Sequence, residues 1–363
     1  MKSLRETRLV LHKSHLEFNL QAYKSLLDHS TKVMVMVKAN AYGLGSVIIS
    51  RLLETLNIDY LGVVFVSEGV DLRKSGITTP IIVFNPEYNH LKYCYDHDLE
   101  PVIYDLGILT NYIRLKQKPK CHLNIDTGMN RLGFKDYDWQ KLLGVIKKNP
   151  YHPIVGVHSH LAAADDPTED DFTRQQVSDF HDKAEIISDC LYKRPIKHLL
   201  NSSGITRWSQ YQYDMVRLGV GFYGADSTGN MNLKNSCSLL SRISQIKRIR
   251  PNETIGYGRK GLIAQGGKIA IVPAGYGDGV FRGLGNGIGK VLIQKKLCPI
   301  VGSICMDAMH VDVSGLSCSK GDDVVLFGAF PTIKDVARWH KTIPYEVLSN
   351  IHDRVPRFIG TDS

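Results

Sequence analysis

The sequence lacks the features that define several common protein classes. Its seven cysteines are scattered, odd in number and without a CxxC spacing, which favours reduced thiols in a cytosolic protein over a disulfide framework. No stretch is long and apolar enough to cross a membrane. Residues 1–10 carry charge without the apolar core of a signal peptide. We therefore expect a cytoplasmic protein that does not associate with a membrane.

Clustered positive charge and spaced metal ligands are also missing. The formal net charge is +9, but the lysines and arginines are spread along the chain rather than gathered in basic runs. This pattern argues against nucleic-acid binding and favours attraction of anionic small molecules, such as a phosphate-bearing cofactor. His158 and His160 lie two residues apart with no third ligand in view, so we expect no metal site.

What is present is an alternation of short apolar runs and amphipathic stretches, the latter at residues 16–28, 46–56 and 172–192. The runs are residues 32–37, 60–65, 81–84, 100–104, 120–125, 154–158, 197–200 and 215–218. Such an alternation predicts an α/β fold with a closed (β/α)8 TIM-like barrel over residues 1–233. An open doubly wound sheet is the alternative, and the lack of a GxGxxG after the first run disfavours it.

The last third of the chain has a different pattern, with alternating polarity and frequent glycine. It predicts a mostly β C-terminal domain over residues 234–363, to which residues 1–12 are expected to add a strand. The predicted strands are residues 243–249, 268–273, 290–294, 300–304, 310–313 and 323–327. Two short helices are expected near the end, one capped by Thr332 with Asp335 and one beginning at Pro344.

Lys38 ends the first predicted strand and opens a loop that contains Tyr42. A lysine held against an apolar strand end loses solvation, which favours the neutral amine, a nucleophile that can form a Schiff base. For this residue alone, a lysine that merely ends a core strand and extends to water is the alternative.

Other polar residues and glycines follow the later strands, whose carboxyl ends meet at one rim of a barrel. They are Arg131 after the fifth strand, His160 after the sixth, Ser202 after the seventh, and Arg217, Gly219 and Val220 at the eighth. Individually, Ser202 can cap a helix and Arg131 can pair with Asp126. Their coincidence on one rim instead favours a functional site.

The loops after strands seven and eight often hold a phosphate in this fold. Ser202 offers a hydroxyl there, and the backbone N–H groups near Gly219 and Val220 can form an anion-binding turn. A lysine suited to imine formation, together with a phosphate cradle across the barrel mouth, describes a site for pyridoxal 5′-phosphate.

Several motifs resemble those of the alanine racemase family, over nearly the whole chain. The most specific is Val37-Lys38-Ala39-Asn40-Ala41-Tyr42-Gly43. The supporting motifs are Asp126-Thr127-Gly128-Met129, Ser159-His160, Asn201-Ser202, Met215-Val216-Arg217-Leu218-Gly219, Gly256-Tyr257-Gly258, Ile304-Cys305-Met306-Asp307 and Arg354-Val355-Pro356-Arg357. The resemblance implies a pyridoxal-phosphate-dependent amino-acid racemase that interconverts L- and D-alanine to supply peptidoglycan precursors.

The resemblance also implies a role for each matching position. Lys38 would carry the cofactor and share catalysis with Tyr257 as the second base. The implied cofactor contacts are Lys38, Tyr42, His160, Ser202, Arg217, Gly219 and Val220. Arg131 and Met306 would contact the substrate carboxylate. In this family Tyr257 and Met306 come from the partner subunit, so a head-to-tail homodimer is implied.

Two bases suit racemisation, because one base cannot easily reach both faces of Cα. A tyrosine with a pKa near 10 is a poor base at neutral pH, and His160 and Arg217 can stabilise its phenolate. Arginine keeps its proton, so Arg217 would leave the cofactor's ring nitrogen unprotonated. A weaker electron sink favours rapid return of the proton to Cα over transamination.

Three positions depart from the family pattern, and one of them, Leu44 in place of a histidine, is expected to have little effect on the chemistry. Asn124 stands where many members have a lysine, carbamylated in some, and a neutral amide cannot supply that negative charge. An anion such as chloride beside Asn124 and Arg131 is one hypothesis. Asp353 stands where many members have a tyrosine near the phosphate. A carboxylate beside phosphate is repulsive, so either Asp353 turns to solvent or the local alignment is shifted by some residues, with Tyr345 as the substitute. An entrance without the tyrosine predicts tolerance of side chains larger than alanine.

Three other functions compete with this interpretation. One is a racemase of broader specificity, acting on serine, lysine or arginine. Another is a barrel-type decarboxylase, which in that family has an acidic residue near the pyridine nitrogen, where this chain has Arg217. The third, a cofactor carrier built from a lone barrel, is disfavoured by the predicted β domain with Tyr257 and Met306.

Overall fold

The computed structural model describes residues 5–360. Residues 1–4 and 361–363, which the predicted domain limits include, lie outside the described part of the chain. It begins with strand β1 (Arg8–His12). Eight parallel strands then close into a barrel. In pairing order they are β2 (Lys32–Met36), β3 (Tyr60–Val63), β4 (Ile81–Val83), β5 (Glu100–Ile103), β6 (Cys121–Asn124), β7 (Ile154–His158), β8 (Ile196–His198) and β9 (Met215–Leu218). The predicted closed barrel is confirmed.

Helices precede or connect these strands, as the amphipathic stretches predict. They are α1 (Lys13–Lys24), α2 (Lys38–Tyr42), α3 (Ser46–Thr55), α4 (Val66–Lys74), α5 (Leu91–Asp96), α6 (Leu106–Arg114), α7 (Asp136–Lys148), α8 (Asp170–Cys190) and α9 (Ser202–Arg207). No helix within residues 5–360 is both long enough and apolar enough to span a bilayer.

The barrel strands bury both faces. One face packs on the helices, and the other fills the barrel interior with a separate apolar cluster of Met34, Ile82, Val102 and Met215. Because successive side chains of a strand point to opposite faces, alternate residues point into the barrel. Those at the carboxyl ends of the strands therefore reach its mouth. This arrangement gathers the polar residues that follow the strands.

The remaining elements form the mostly β C-terminal domain. Its strands are β10 (Cys237–Arg242), β11 (Gln245–Ile249), β12 (Thr254–Ile255), β13 (Gly261–Leu262), β14 (Gly267–Val272), β15 (Lys290–Ile293), β16 (Lys296–Pro299), β17 (Met309–Asp312), β18 (Asp323–Phe327) and β19 (Arg357–Gly360). Its helices are α10 (Ile333–His340) and α11 (Pro344–Ser349). The largest sheet has the order β16-β15-β18-β10-β1-β19, so β1 lies inside it.

The helix starts in this domain are confirmed. The Thr332 hydroxyl accepts from the Asp335 N–H at 3.2 Å, while the Asp335 carboxylate accepts from the Thr332 N–H at 2.9 Å. Pro344 occupies the first turn of α11. The strand expected at residues 300–304 is wrong, because strand β16 ends at Pro299 and Gly302 turns the chain with a φ of +70°.

Helix α11 packs on the segment that follows β2. A Cβ at position 43 would lie 2.0 Å from the carbonyl oxygen of Leu348, so Gly43, with a φ of +83°, permits the contact. The Arg357 guanidinium donates to the Gly43 carbonyl at 2.9 Å. The C-terminal domain therefore covers one side of the Lys38 segment.

Candidate active site

Lys38 lies directly after β2 and begins α2, which is a left-handed turn. The φ angles of Ala39, Asn40, Ala41 and Tyr42 are 51°, 53°, 52° and 52°. Left-handed backbone costs roughly 1–2 kcal/mol for each residue other than glycine, so the surroundings must stabilise this turn. We did not predict it from the sequence.

Glu68 on α4 supplies part of that stabilisation. Its carboxylate accepts from the backbone N–H of Ala39 at 2.6 Å and from that of Val64 at 2.8 Å. The Asn40 side-chain oxygen accepts from the Ser46 N–H at 2.8 Å. These bonds fix the backbone that immediately follows Lys38 and thereby fix the origin of its side chain.

The amine of Lys38 has no hydrogen-bond partner within residues 5–360. Burial lowers its pKa, the positive charge of Arg131 lowers it further, and Glu68 partly opposes both effects. Since the pKa falls, a larger share of the amine is neutral near pH 7 than for a free lysine. The lowered pKa and the absence of an anchoring bond within the described chain both favour Lys38 as a nucleophile.

A cavity of about 570 Å³ opens at the carboxyl ends of the barrel strands, a volume within the range of ligand pockets. The structure places all the predicted barrel residues on its wall, namely Lys38, Tyr42, Arg131, His160, Ser202, Arg217, Gly219 and Val220. Among the described residues, one acid lines this cavity, Asp126. The cations thus outnumber the acids, which suits an anionic ligand.

Tyr42, Ser202 and Gly219 form one end of the cavity. The Ser202 Oγ accepts from the Gly219 N–H at 2.9 Å, which leaves its own hydrogen available for another acceptor. A Cβ at position 219 would lie 3.0 Å from the Tyr42 hydroxyl and 3.7 Å from Ser202 Oγ. Glycine therefore keeps open a small space lined by hydrogen-bond donors, as a phosphate requires.

Arg217 lies on the floor of the cavity. Its Nη1 donates to the His198 carbonyl at 2.8 Å and to His198 Nδ1 at 3.1 Å, and its Nη2 donates to the Ser159 carbonyl at 2.6 Å. Burial, followed by the charge of Arg131, lowers the pKa of Arg217 to about 9, which leaves it protonated near pH 7. Within residues 5–360 its Nε–H has no acceptor, so one donor remains for a ligand.

His160 is fixed by the same guanidinium. Arg217 Nη2 lies 3.1 Å from His160 Nδ1. It also donates to the carbonyls of Ser159 and Leu199. Arginine has no acceptor, so a hydrogen on Nδ1 would face the guanidinium, which favours the hydrogen on Nε2. Burial and Arg217 hold the pKa of His160 well below its ordinary value. His160 is therefore a neutral imidazole with its remaining N–H available at the site.

Arg131 and Asn124 lie on another part of the wall. Arg131 does not pair with Asp126, whose carboxylate lies 3.4 Å from Lys135 Nζ and accepts from the Gly128 N–H at 2.9 Å. The Asn124 amide donates to the Leu132 carbonyl at 3.0 Å. Within the described chain no carboxylate neutralises Arg131.

Asp353 does not line this cavity. Its side chain is 90% exposed and accepts from the Asn40 amide at 2.8 Å. Tyr345 does line the cavity, with its ring centre 6.4 Å from that of Tyr42. The carboxylate is thus turned to solvent, and the phenol of Tyr345 lies on the wall.

Tyr257 and Met306 are not on the wall of this cavity. Tyr257 is 71% exposed in a turn of the C-terminal domain, and Met306 is 52% exposed. A single chain therefore does not bring either residue to Lys38. Large apolar groups at this exposure are available to contact a second subunit.

His198, which accepts from Arg217 at the end of β8, is a site residue that the sequence did not predict. The available sign was a histidine beside Lys197 in a predicted barrel strand whose other residues, Leu199 and Leu200, are apolar. Within residues 5–360, no cluster of three or more histidine, cysteine or acidic side chains is arranged to hold a metal ion.

Two family models match the chain. The alanine racemase N-terminal domain matches residues 11–227, and the alanine racemase C-terminal domain matches residues 236–359. Curated relatives include alanine racemase 2 of Caldanaerobacter subterraneus, with 33% identity over 98% of this chain and 95% of that protein. Another is the alanine racemase of Treponema denticola, with 32% identity over 98% of each chain.

Solved structures show the same similarity along the whole chain. The alanine racemase of Clostridium difficile superposes with a TM-score of 0.88 and 32% identity, covering 98% of this chain and 96% of that one. The Bacillus anthracis alanine racemase, solved with bound L-Ala-P, gives 0.92 and 25% identity over 100% and 97%.

Proposed function

The chain belongs to the alanine racemase family, and we propose that it interconverts L- and D-alanine with pyridoxal 5′-phosphate bound in the barrel cavity. The observation that carries this proposal is the unbonded, desolvated amine of Lys38 in the same cavity as the open cradle between Tyr42, Ser202 and Gly219.

The wall residues fit this cofactor. Ser202 and Tyr42 would hold its phosphate with their hydroxyl groups, joined by the backbone N–H of Val220. Lys38 would attach to its aldehyde carbon, and the free Nε–H of Arg217 would donate to its ring nitrogen. When bound, pyridoxal phosphate supplies an electron sink that acidifies the Cα proton of an amino acid.

The protein's own residues would then move that proton. The Lys38 amine is suited to take or return it on one face of Cα, and Tyr257 of a second subunit on the other. His160, neutral and with its Nε2–H available, would donate to the phenolate oxygen of Tyr257 and stabilise it. The exposure of Tyr257 and Met306 supports a homodimer in which each subunit completes the other's site.

A chiral assay of the purified protein tests the function. With added cofactor, we expect L-alanine and D-alanine each to reach a near-equal mixture of both. Serine, lysine and arginine, run in parallel, measure the breadth of specificity, because Asp353 faces solvent at the position where many members have a tyrosine, and Tyr345 lies on the cavity wall instead. Carbon dioxide release without loss of optical rotation would instead identify a decarboxylase and refute the proposal.

Chloride is expected to support substrate binding. Asn124 is neutral and Arg131 has no carboxylate partner in the described chain, so a small anion between them would neutralise the arginine and orient it. Exchange into chloride-free acetate buffer of equal ionic strength should raise the KM for alanine several-fold while changing kcat less. Identical KM values in both buffers, with no anion density beside Asn124 at high resolution, would contradict this.

We propose a cytoplasmic role in which the D-alanine supplies peptidoglycan precursors. All seven cysteines are free, which is consistent with a reducing compartment. Growth of a D-alanine auxotroph that expresses this chain, without added D-alanine, would support the role.

A further inference from the structure

A line of buried polar side chains crosses the interior of the barrel from Arg217 to the opposite end. We propose that Glu100 and His122 are positioning residues, which act through His198 to hold the guanidinium of Arg217 in place. The part of this inference that concerns the cofactor rests on the proposed function.

Three contacts make up the line. Arg217 Nη1 lies 3.1 Å from His198 Nδ1, His198 Nε2 lies 3.0 Å from His122 Nδ1, and His122 Nε2 lies 3.0 Å from a carboxylate oxygen of Glu100. All four residues are buried, and both histidines are fully so. Glu100 is the first residue of β5, at the end of the barrel away from the cavity.

The direction of every bond follows from the arginine. Arg217 can only donate, so His198 Nδ1 must accept, and His198 is neutral with its hydrogen on Nε2. That hydrogen requires an acceptor at His122 Nδ1. His122 therefore carries its own hydrogen on Nε2 and donates it to Glu100. The Glu100 carboxylate thus accepts the last hydrogen of the line, and no two donors face each other along it.

The surroundings make this line costly to disturb. The apolar cluster of Met34, Ile82, Val102 and Met215 fills the barrel interior and offers no substitute partners. A buried polar group without its hydrogen bond is strongly disfavoured. The ring of His158 stacks on that of His198 with centres 4.8 Å apart and interplanar angle 24°, which restricts movement of His198.

The Glu100 charge acts to raise the pKa values of Arg73 and Cys121, and two more titratable groups of the described chain lie near the carboxylate. Lys120 Nζ lies 4.0 Å from Glu100 and its side chain is 65% exposed. The phenol of Tyr60 is close enough that the Glu100 charge adds to burial in raising the pKa of Tyr60 to about 12. Neither group accepts a hydrogen from His122, so Glu100 alone completes the line among the described residues.

Without the Glu100 carboxylate as acceptor, the tautomers of His122 and His198 should no longer be fixed. His122 would then be free to place its hydrogen on Nδ1, against the hydrogen on His198 Nε2. Relief of that contact would move the His198 hydrogen to Nδ1, where it opposes the donor of Arg217. The guanidinium would lose one of its anchoring bonds and keep those to the carbonyls of Ser159, His198 and Leu199. Its Nε–H would therefore still point toward the cavity but would be held less tightly.

The first test is neutron crystallography of the wild-type protein without cofactor, which locates hydrogen atoms directly. We expect hydrogen on Nε2 and none on Nδ1 of both His122 and His198. Hydrogen on Nδ1 of His198 would overturn the proposal. This outcome is independent of whether the protein is a racemase, so it is distinguishable from failure of the proposed function.

The second test compares three variants by cofactor affinity, by the visible absorption of bound pyridoxal phosphate, and by KM and kcat. Glu100→Leu should weaken cofactor binding and lower kcat by roughly tenfold each, as is typical when a residue that holds a site residue in place is lost. It should also shift the absorption band. Glu100→Gln, whose amide oxygen still accepts from His122, should largely restore all three.

Val102→Ala is the matched control, because Val102 shares a strand and an inward face with Glu100 but lies outside the line. It should lower thermal stability without shifting the absorption band. If Glu100→Leu folds and matches Val102→Ala in every readout, Glu100 is merely structural and the inference is wrong.

Discussion

Replacing Lys38 by alanine is expected to abolish racemisation, with a loss of at least about 10³-fold in kcat, since the variant lacks both the nucleophile and a catalytic base. Lys38 is the one lysine among the described residues that line the cavity, so no other amine is in place to substitute for it. Borohydride treatment of the cofactor-loaded protein, followed by peptide mass spectrometry, should mark Lys38 in the wild type and no residue in the variant.

Lys32→Ala provides the matched control for this prediction. Lys32 begins the same strand that ends just before Lys38, and its amine lies 3.7 Å from Asp59 at the far end of the barrel. The variant should retain kcat and the borohydride mark. Lys38→Arg, which keeps the positive charge but cannot attach the cofactor, should be as inactive as Lys38→Ala. Racemase activity retained in either Lys38 variant would contradict the assignment.

The barrel could be predicted because parallel strands that are buried on both faces are encoded by short, continuous apolar runs. Runs such as residues 60–65 and 81–84 are apolar on both faces, and helical periods separate most of the runs. Once the strands are known, the geometry of a barrel places the residues that follow them at a single rim. The location of Lys38 and Ser202 on one cavity follows from that rule rather than from any local pattern.

Backbone conformation and interior hydrogen bonds were harder to predict. Ala39 and Ala41 carry no preference for left-handed backbone, and the turn depends on Glu68, which is distant in sequence. Residues 300–304 have the alternation of a strand, yet Gly302 turns the chain there. His122 lies between buried Cys121 and Leu123, and only the closed barrel shows that its ring faces His198.

Residues that act in another subunit are beyond any prediction based on local pattern. Tyr257 lies in an exposed turn, with nothing in its neighbourhood that indicates catalysis. Its role is implied by the family resemblance alone, and one chain does not bring it to Lys38. The assignment therefore requires an experiment that separates the two bases.

Tyr257→Phe removes one hydroxyl and should lower racemisation by about 10²–10⁴-fold, the usual contribution of a general acid–base group. Cofactor binding should persist, because the proposed cofactor contacts of Lys38, Ser202 and Arg217 line the barrel cavity and are unchanged. In deuterated water the variant should still exchange the Cα hydrogen of one alanine enantiomer, through Lys38, and not of the other. Exchange of both enantiomers at wild-type rates would show that Tyr257 is not a base.

Mixing the two inactive variants tests whether the subunits share their sites. If each cavity uses Lys38 of one chain and Tyr257 of the other, a dimer of Lys38→Ala with Tyr257→Phe contains one cavity with both bases intact. Random reassortment makes half the dimers mixed, so activity should return to about one quarter of wild type. Mixtures that reassort, as native mass spectrometry would show, and yet stay inactive would mean that both bases belong to one chain.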